Sequence, residues 1–209
     1  MTVEVEQEPA AASELFGDRI ELARQFTDAL AQHGEERGLI GPLEPPRLWS
    51  RHVLNSVLAA PLFVGSVADI GSGGGLPGIV LAIARPDVQW TLIEPMDRRV
   101  TWLNEQVEAL GLENVTVLRS RAEDVRPLFA YDQVTARAVS ALKTLIPVTA
   151  PLVKDGGELI FLKGRNVDAE VTAAQKQIKK FALTNVQTEE LGVGVIEDTT
   201  RVFRATVRG

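Results

Sequence analysis

The chain contains no cysteine. That absence excludes disulfides, thiolate metal sites and every mechanism built on a cysteine nucleophile, and it fits a reducing compartment. Histidine is almost as scarce, with two in 209 residues. A transition-metal site is therefore not expected. No apolar run approaches the roughly 20 residues needed to span a bilayer. The first residues, Met-Thr-Val-Glu-Val-Glu-Gln-Glu, are acidic where an export signal would be basic, so the reading is cytoplasmic. Repeats and low-complexity segments are also missing.

The chain does have enough apolar content, 45%, to bury one sizeable core. Its net charge of −6 argues on its face against a nucleic-acid partner, but the charge is unevenly placed. Glu4, Glu6, Glu8, Glu14, Asp18 and Glu21 crowd the start, opposed by Arg19 alone. Basic residues group later, at Arg47, Arg51 and His52, at Arg98 and Arg99, at Arg119, Arg121 and Arg126, at Arg137 and Lys143, and at Lys163 and Arg165.

Residues 1–12 read as a frayed acidic tail and residues 13–64 as a helical cap. Ser13 is a plausible N-cap for a helix carrying Phe16, Ile20, Ala23, Phe26 and Leu30. Gly34, Gly38, Gly41 and Pro42 end it, and a second helix carries Leu48 to Leu58. From residue 65 a single core follows, in which strand and helix alternate. Strands are predicted at 67–70, 88–93, 115–118, 133–136 and 158–162, with helices at 76–84, 97–110, 141–153 and 167–181. Two further strand-like runs, 183–191 and 201–207, have no helix between them and read as a hairpin. The expectation is an α/β fold of the Rossmann-like class: a mostly parallel seven-stranded sheet finished by an antiparallel hairpin.

The most informative segment is Val67-Ala68-Asp69-Ile70-Gly71-Ser72-Gly73-Gly74-Gly75-Leu76-Pro77-Gly78. A short apolar strand ends in a glycine loop that runs into a helix, so bare backbone and free N–H groups can face a polar cofactor. The segment also satisfies the dinucleotide pattern G-x-G-x-x-G, which keeps a nicotinamide or flavin enzyme in view. Asp69 tilts against a diphosphate by charge and favours S-adenosylmethionine (SAM), whose methionine end carries an ammonium. Glu94, at the end of the second strand, is placed to accept from ribose hydroxyls. Ala122 and Glu123, after the third strand, are candidates for the adenine edge, with Asp124 as a competing N-cap. Arg137 closes the fourth strand at the ligand-binding edge of such sheets.

Four segments in order carry a family resemblance: Leu48-Trp49-Ser50-Arg51-His52-Val53-Leu54-Asn55-Ser56, then the glycine segment, then Ala136-Arg137-Ala138-Val139, then Leu162-Lys163-Gly164. Together they resemble the RsmG (GidB) family of bacterial 16S ribosomal RNA guanine-N7 methyltransferases. The resemblance implies SAM contacts at Gly71 and Leu76, at the backbone of Ala122 and Glu123, and at Arg137; the loop reading adds Asp69, Gly73 and Glu94. It implies 16S rRNA, or the small ribosomal subunit, as partner. The chain departs from the family pattern at Glu94-Pro95-Met96-Asp97-Arg98-Arg99, where a Ser and a Lys-Arg pair are common, and at Asn55, where an Asp is common.

Guanine N7 already owns an in-plane lone pair, so this chemistry demands no catalytic base and none is assigned. Arg137 has three candidate roles: bonding the guanine O6, pairing with the methionine carboxylate, or orienting Glu123. Arg51, His52, Arg98 and Lys163 are candidates for RNA contacts, His52 having an equally good structural reading as a cap or bridge. Trp49, Trp90 and Trp102 read as core. Two other functions compete: a small-molecule SAM methyltransferase lidded by the cap, and a non-catalytic SAM-binding ribosome-assembly protein. Nothing demands more than a monomer.

Overall fold

The computed structural model describes residues 5–126, 128 and 130–208. Seven strands form one sheet: β1 (Ser66–Ile70), β2 (Gln89–Ile93), β3 (Val115–Leu118), β4 (Tyr131–Arg137), β5 (Val153–Lys163), β6 (Thr184–Leu191) and β7 (Thr200–Thr206). Their spatial order is β3-β2-β1-β4-β5-β7-β6. The first five pair in parallel, while β7 runs antiparallel to both β5 and β6. The expected fold class is the observed one.

Buried apolar runs make these strands. In β1, Val67 packs with one apolar cluster and Ala68 and Ile70 with the other, because successive side chains leave opposite faces of a sheet. The first cluster joins the sheet to the cap, to α4 (Gly78–Ala84) and to α5 (Asp97–Ala109). The second joins it to α6 (Leu142–Thr149), α7 (Val167–Ala173) and α8 (Gln175–Lys180). Trp49, Trp90 and Trp102 are 5%, 1% and 1% exposed, so the reading of all three as core holds.

The cap differs from the sequence expectation in three places. Its first helix is two, α1 (Ala11–Phe16) and α2 (Ile20–His33), separated at Gly17, whose φ of 52° breaks helical geometry. Ala10, not Ser13, is the residue before α1. The expected fraying does not hold for residues 6–12. The Glu6 carboxylate accepts from the Ser50 N–H at 2.9 Å, and Glu8 pairs with Arg24 at 2.5 Å. Residues 1–4 of that expectation lie outside the described residues. The second cap helix is mostly a π-helix, Leu48–Leu54, running into one α turn, α3 (Asn55–Val57). Such wide turns concentrate at functional sites.

In the core, the helix expected over 141–153 stops at Thr149, ahead of Pro151. The one expected over 167–181 breaks at Ala174 into α7 and α8.

Candidate functional site

β1 and β4 are neighbours, with Ile70 opposite Ala136. From β1 the sheet builds outward through β2 and β3; from β4 it builds the other way through β5. Connections diverge at such a point and leave a crevice beyond the carboxyl ends of the strands. Gly71 follows β1 into that crevice and Ala138 follows β4.

The glycine loop forms one wall. Gly71, Gly73 and Gly75 take φ of 69°, 55° and 93°, a region costly to other residues. A Cβ on Gly75 would lie 2.6 Å from Ile79 Cγ1 and 3.1 Å from Phe26 Cζ, and one on Gly74 would lie 3.3 Å from Leu39 Cβ. Helix α4 and the cap thus press directly on backbone. The buried Trp102 indole donates to the Gly74 carbonyl at 3.0 Å and fixes the far side.

Asp69 lies beneath the loop, fully buried. Its Oδ2 accepts from the Gly78 N–H at 3.2 Å, at the start of α4. Its Oδ1 has no partner among the described residues. Burial pushes this carboxyl up to about 7, against hydrogen bonds from Ser72 and Gly78. Glu94, 2% exposed, accepts from the Gly73 N–H at 2.9 Å and the Met96 N–H at 3.0 Å. It braces the loop with both oxygens.

A cavity of about 300 Å³ opens above the loop. Gly71–Gly74 and Leu76 line it from the core, Leu39 to Gly41, Glu44 and His52 from the cap, and Arg99, Arg137 and Ala138 from the sides. Gly71, Gly73, Leu76 and Arg137 are therefore gathered as expected. Asp69 stands behind the backbone rather than in the wall. Glu94, Ala122 and Glu123 lie outside the lining, Ala122 buried and Glu123 exposed on a one-turn helix, Ala122–Asp124. Asp124 belongs to that turn rather than capping a longer helix.

A second cavity, about 810 Å³, lies across Arg137 and Ala138 from the first and shares both residues with it. Val139, Ser140, Lys163 and Arg165 line it, and Arg51 and Asn55 reach it from the cap. Glu190, Glu197, Asp198 and Arg201 come from the terminal hairpin. Ala138 has a φ of 55°, a strained conformation for a residue with a Cβ, and strain of this kind gathers at ligand sites.

The four expected RNA contacts do not converge here. Arg51 lines the wide cavity with its side chain 51% exposed. Lys163 lines it too, but its Nζ is taken: it pairs with Glu170 at 2.7 Å and donates to the Ser140 carbonyl at 2.8 Å. Glu170 also accepts from the Leu142 N–H at 3.0 Å, so the pair staples the loop between β4 and α6. His52 faces the cofactor cavity, with Nε2 2.5 Å from Glu44 Oε2 and Nδ1 2.9 Å from Arg137 Nη2. Burial and Arg137 push it down to about 4, against the pull of Glu44. Its structural reading is the one observed. Arg98 is exposed at the start of α5, beside Gly38, and lines neither cavity.

Within the chain, the hydrogen bonds of Arg137 all run to the cap. Its Nη1 donates to the His52 carbonyl and Ser56 Oγ, each at 3.0 Å, and its Nη2 to the Arg51 carbonyl at 2.8 Å and to His52. Burial, with Arg51 nearby, lowers it to about 10.

Sequence reasoning missed several residues that matter here. Glu44 and Leu39 were hidden in a loop of mixed composition, and Glu170 on a helix with no motif to single it out. Arg165 is exposed, lines the wide cavity and makes no ion pair among the described residues; its place two residues after Lys163 was the available signal.

The fold recurs in solved structures. A SAM-dependent O-methyltransferase from Thermotoga maritima superposes with a TM-score of 0.62 at 16% identity, covering 88% of this chain and 71% of that one. The N-methyltransferase NodS from Bradyrhizobium japonicum, in complex with S-adenosyl-L-homocysteine, superposes with a TM-score of 0.59 at 15% identity, covering 88% and 99%. At such identities the likeness shows the fold. Sequence relatives are far nearer. A protein from Leifsonia xyli named ribosomal RNA small subunit methyltransferase G is 62% identical over all of both chains. One of the same name from Clavibacter michiganensis is 63% identical over 97% of each. The family model described as GidB, rRNA small subunit methyltransferase G, matches residues 19–196. The chain belongs to that family.

Proposed function

We propose that this protein transfers a methyl group from SAM to N7 of a guanine in 16S ribosomal RNA. The observation that carries the reading is the meeting of two cavities at Arg137 and Ala138, one floored by bare glycine backbone and the other wide and charged.

The residues present fit the donor. The cavity is walled by bare backbone at Gly71, Gly73 and Gly74, and a buried carboxylate with one unpartnered oxygen lies behind it. A negative charge there suits a cationic amino-acid end and opposes a diphosphate. The antiparallel β7 also departs from the order of dinucleotide-binding sheets. Gly71, Gly73 and Leu76 would hold the methionine half, with Arg137 at the edge of the cavity and Glu94, Ala122 and Glu123 toward the ribose and adenine. When bound, SAM supplies a methyl group made electrophilic by its sulfonium.

The acceptor asks little of the protein. Guanine N7 carries a lone pair and no proton, so no side chain has to remove one. The chain's contribution is to hold acceptor and donor in line, which can account for many orders of magnitude in rate. The loop over Ala138–Ser140, held from one end by Arg137 and from the other by Lys163, separates the two and sets their approach. Arg51 and Arg165 are placed to meet phosphates, which set register without reading sequence. Half of the residues lining the wide cavity are charged, which suits a polyelectrolyte better than a small apolar acceptor. The reading keeps the sequence expectations of a cytoplasmic enzyme acting as a single copy.

Labelled SAM, incubated with small subunits or their RNA from a strain lacking the activity, tests this. Label at one guanine that becomes sensitive to cleavage chemistry for N7-methylguanine is the expected result. Label entering small metabolites but never RNA would overturn it in favour of a small-molecule enzyme. Cofactor binding without any transfer would favour a ribosome-assembly protein.

A further inference from the structure

The four Nη hydrogens of Arg137 meet four acceptors, all in the cap: the carbonyls of Arg51 and His52, Ser56 Oγ and His52 Nδ1. A guanidinium only donates, so Nδ1 must be the bare nitrogen of the ring and Nε2 must carry the proton. That proton points at Glu44 Oε2, 2.5 Å away. The imidazole is thus specified from both sides, acceptor toward Arg137 and donor toward Glu44. The π-helix Leu48–Leu54 supplies both carbonyls and the ring from one wide turn. Arg137 is also one of the two residues shared by both cavities.

We infer that Glu44, acting through the His52 ring, is a positioning residue that fixes Arg137 at the partition between the cofactor and acceptor cavities. The inference rests on the methyl-transfer reading and adds to it a device for keeping the partition in one place. Glu44 is itself held by Arg47 at 2.8 Å and by Arg51 at 3.5 Å. Burial alone would raise its carboxyl, but hydrogen bonds from His52 and Arg47 keep it below its ordinary value, so it stays an acceptor. The charged groups around the ring are Glu44, Arg51 and Arg137, with Arg47 behind Glu44 and Asp69 behind Arg137. A proton on Nδ1 would set a donor and a positive charge against the guanidinium and undo the arrangement.

The ligand-free, full-length protein gives the first test. The chain has two histidines, so a His33→Gln variant assigns the ring signals of His52 in a nitrogen–proton correlation spectrum at neutral pH. The expected signature is a neutral ring protonated at Nε2; in Glu44→Leu the ring no longer holds Arg137 in place and a mixture of tautomers appears, whereas an Nε2 tautomer as pure as that of the wild type overturns the inference. A ring protonated at Nδ1, or at both nitrogens, overturns the inference.

The second test compares His52→Asn, whose side-chain oxygen can replace Nδ1, with His52→Leu, which cannot accept. His52→Leu is expected to lose about 100-fold in kcat for RNA methylation, the scale of a small misplacement. Its KM for RNA and its calorimetric affinity for S-adenosylhomocysteine should change little, and His52→Asn should recover most of the loss. Equal losses in the two variants, or losses that merely follow their melting temperatures, overturn it. Failure of the wild-type protein to methylate RNA strikes the assigned reaction instead, and the ring signature then decides the inference alone.

Discussion

Val139 Cγ2 sits 2.8 Å from where a Cβ on Gly71 would be. The residue after β1 and the second residue after β4 therefore touch across the crevice, and only a glycine leaves room. Gly71 also takes a φ of 69°, which costs other residues about 1–2 kcal/mol. Gly71→Asp is expected to abolish SAM binding, and Gly71→Ala to weaken it while displacing Val139. Undiminished affinity of Gly71→Asp by calorimetry would show that the loop is not the cofactor site.

Gly78 opens α4 against Asp69. A Cβ there would lie 2.4 Å from Leu92 Cδ2 and 2.5 Å from Asp69 Oδ2, both held in a packed interior. Gly78→Ala should destabilise the protein by about 1–3 kcal/mol, measured by chemical unfolding, and should shift the carboxyl on which the loop rests.

Asp69 should make cofactor affinity depend on pH. Its folded pKa of about 7 exceeds its ordinary 3.8, so between those values the native protein keeps a proton that the unfolded chain has shed. For this group alone, stability is greatest at the acid end of that window and declines as pH rises through it. Binding of a cationic amino-acid end favours the ionised carboxyl, so S-adenosylhomocysteine affinity should rise with pH up to a plateau above about 7. Asp69→Asn should flatten that rise and weaken binding. A wild-type rise that survives the substitution unchanged would assign it to another group.

Lys163 and Glu170 should act on the acceptor side. Lys163→Ala removes the bond to the Ser140 carbonyl and leaves Glu170 without its cation. RNA methylation should fall well before SAM affinity does. Glu170→Ala should reproduce the effect, because the carboxylate also holds the Leu142 N–H. Equal losses of RNA use and SAM affinity would count against a role confined to this loop.

Asn55 ties the cap to the hairpin: its Nδ2 donates to the Asp198 carbonyl and its own carbonyl accepts from Thr200 Oγ1 at 2.8 Å. Asn55→Ala removes the donor to the exposed Asp198 carbonyl and leaves Thr200 Oγ1 only the backbone carbonyl of residue 55, at a cost of about 0.5–1.5 kcal/mol. Amide exchange near Thr200 should quicken more than exchange in β1.

The strands were legible because residues such as Val67, Leu92 and Leu159 are buried in short apolar runs, and the glycine loop because its composition admits few other conformations. The cap was legible only as helix. Spacing over Leu48–Leu58 does not separate an α turn from a π turn, since both bury Val53, Leu54 and Val57. The break at Ala174 has no glycine or proline to announce it. Roles at the site were harder, since a side chain's partners are set by the tertiary fold. Arg137 finds its acceptors 81 to 86 positions earlier, and Lys163 lost its expected freedom to Glu170 on the next helix. Asn55 departs from the family's usual Asp, and its amide is used as donor toward Asp198, a bond an ionised carboxylate cannot make.

β7 runs against its neighbours, and this brings Thr200 and Arg201 to the rim where the parallel strands end. It is also the last of the seven to leave the ribosome during synthesis. Every residue of the glycine loop is by then already translated, while the outer wall of the larger chamber still waits for this strand. A nascent chain halted short of it would lack Thr200 and Arg201 and the strand that joins β5 to β6, so that chamber is closed on its outer side only when the sheet receives its final member.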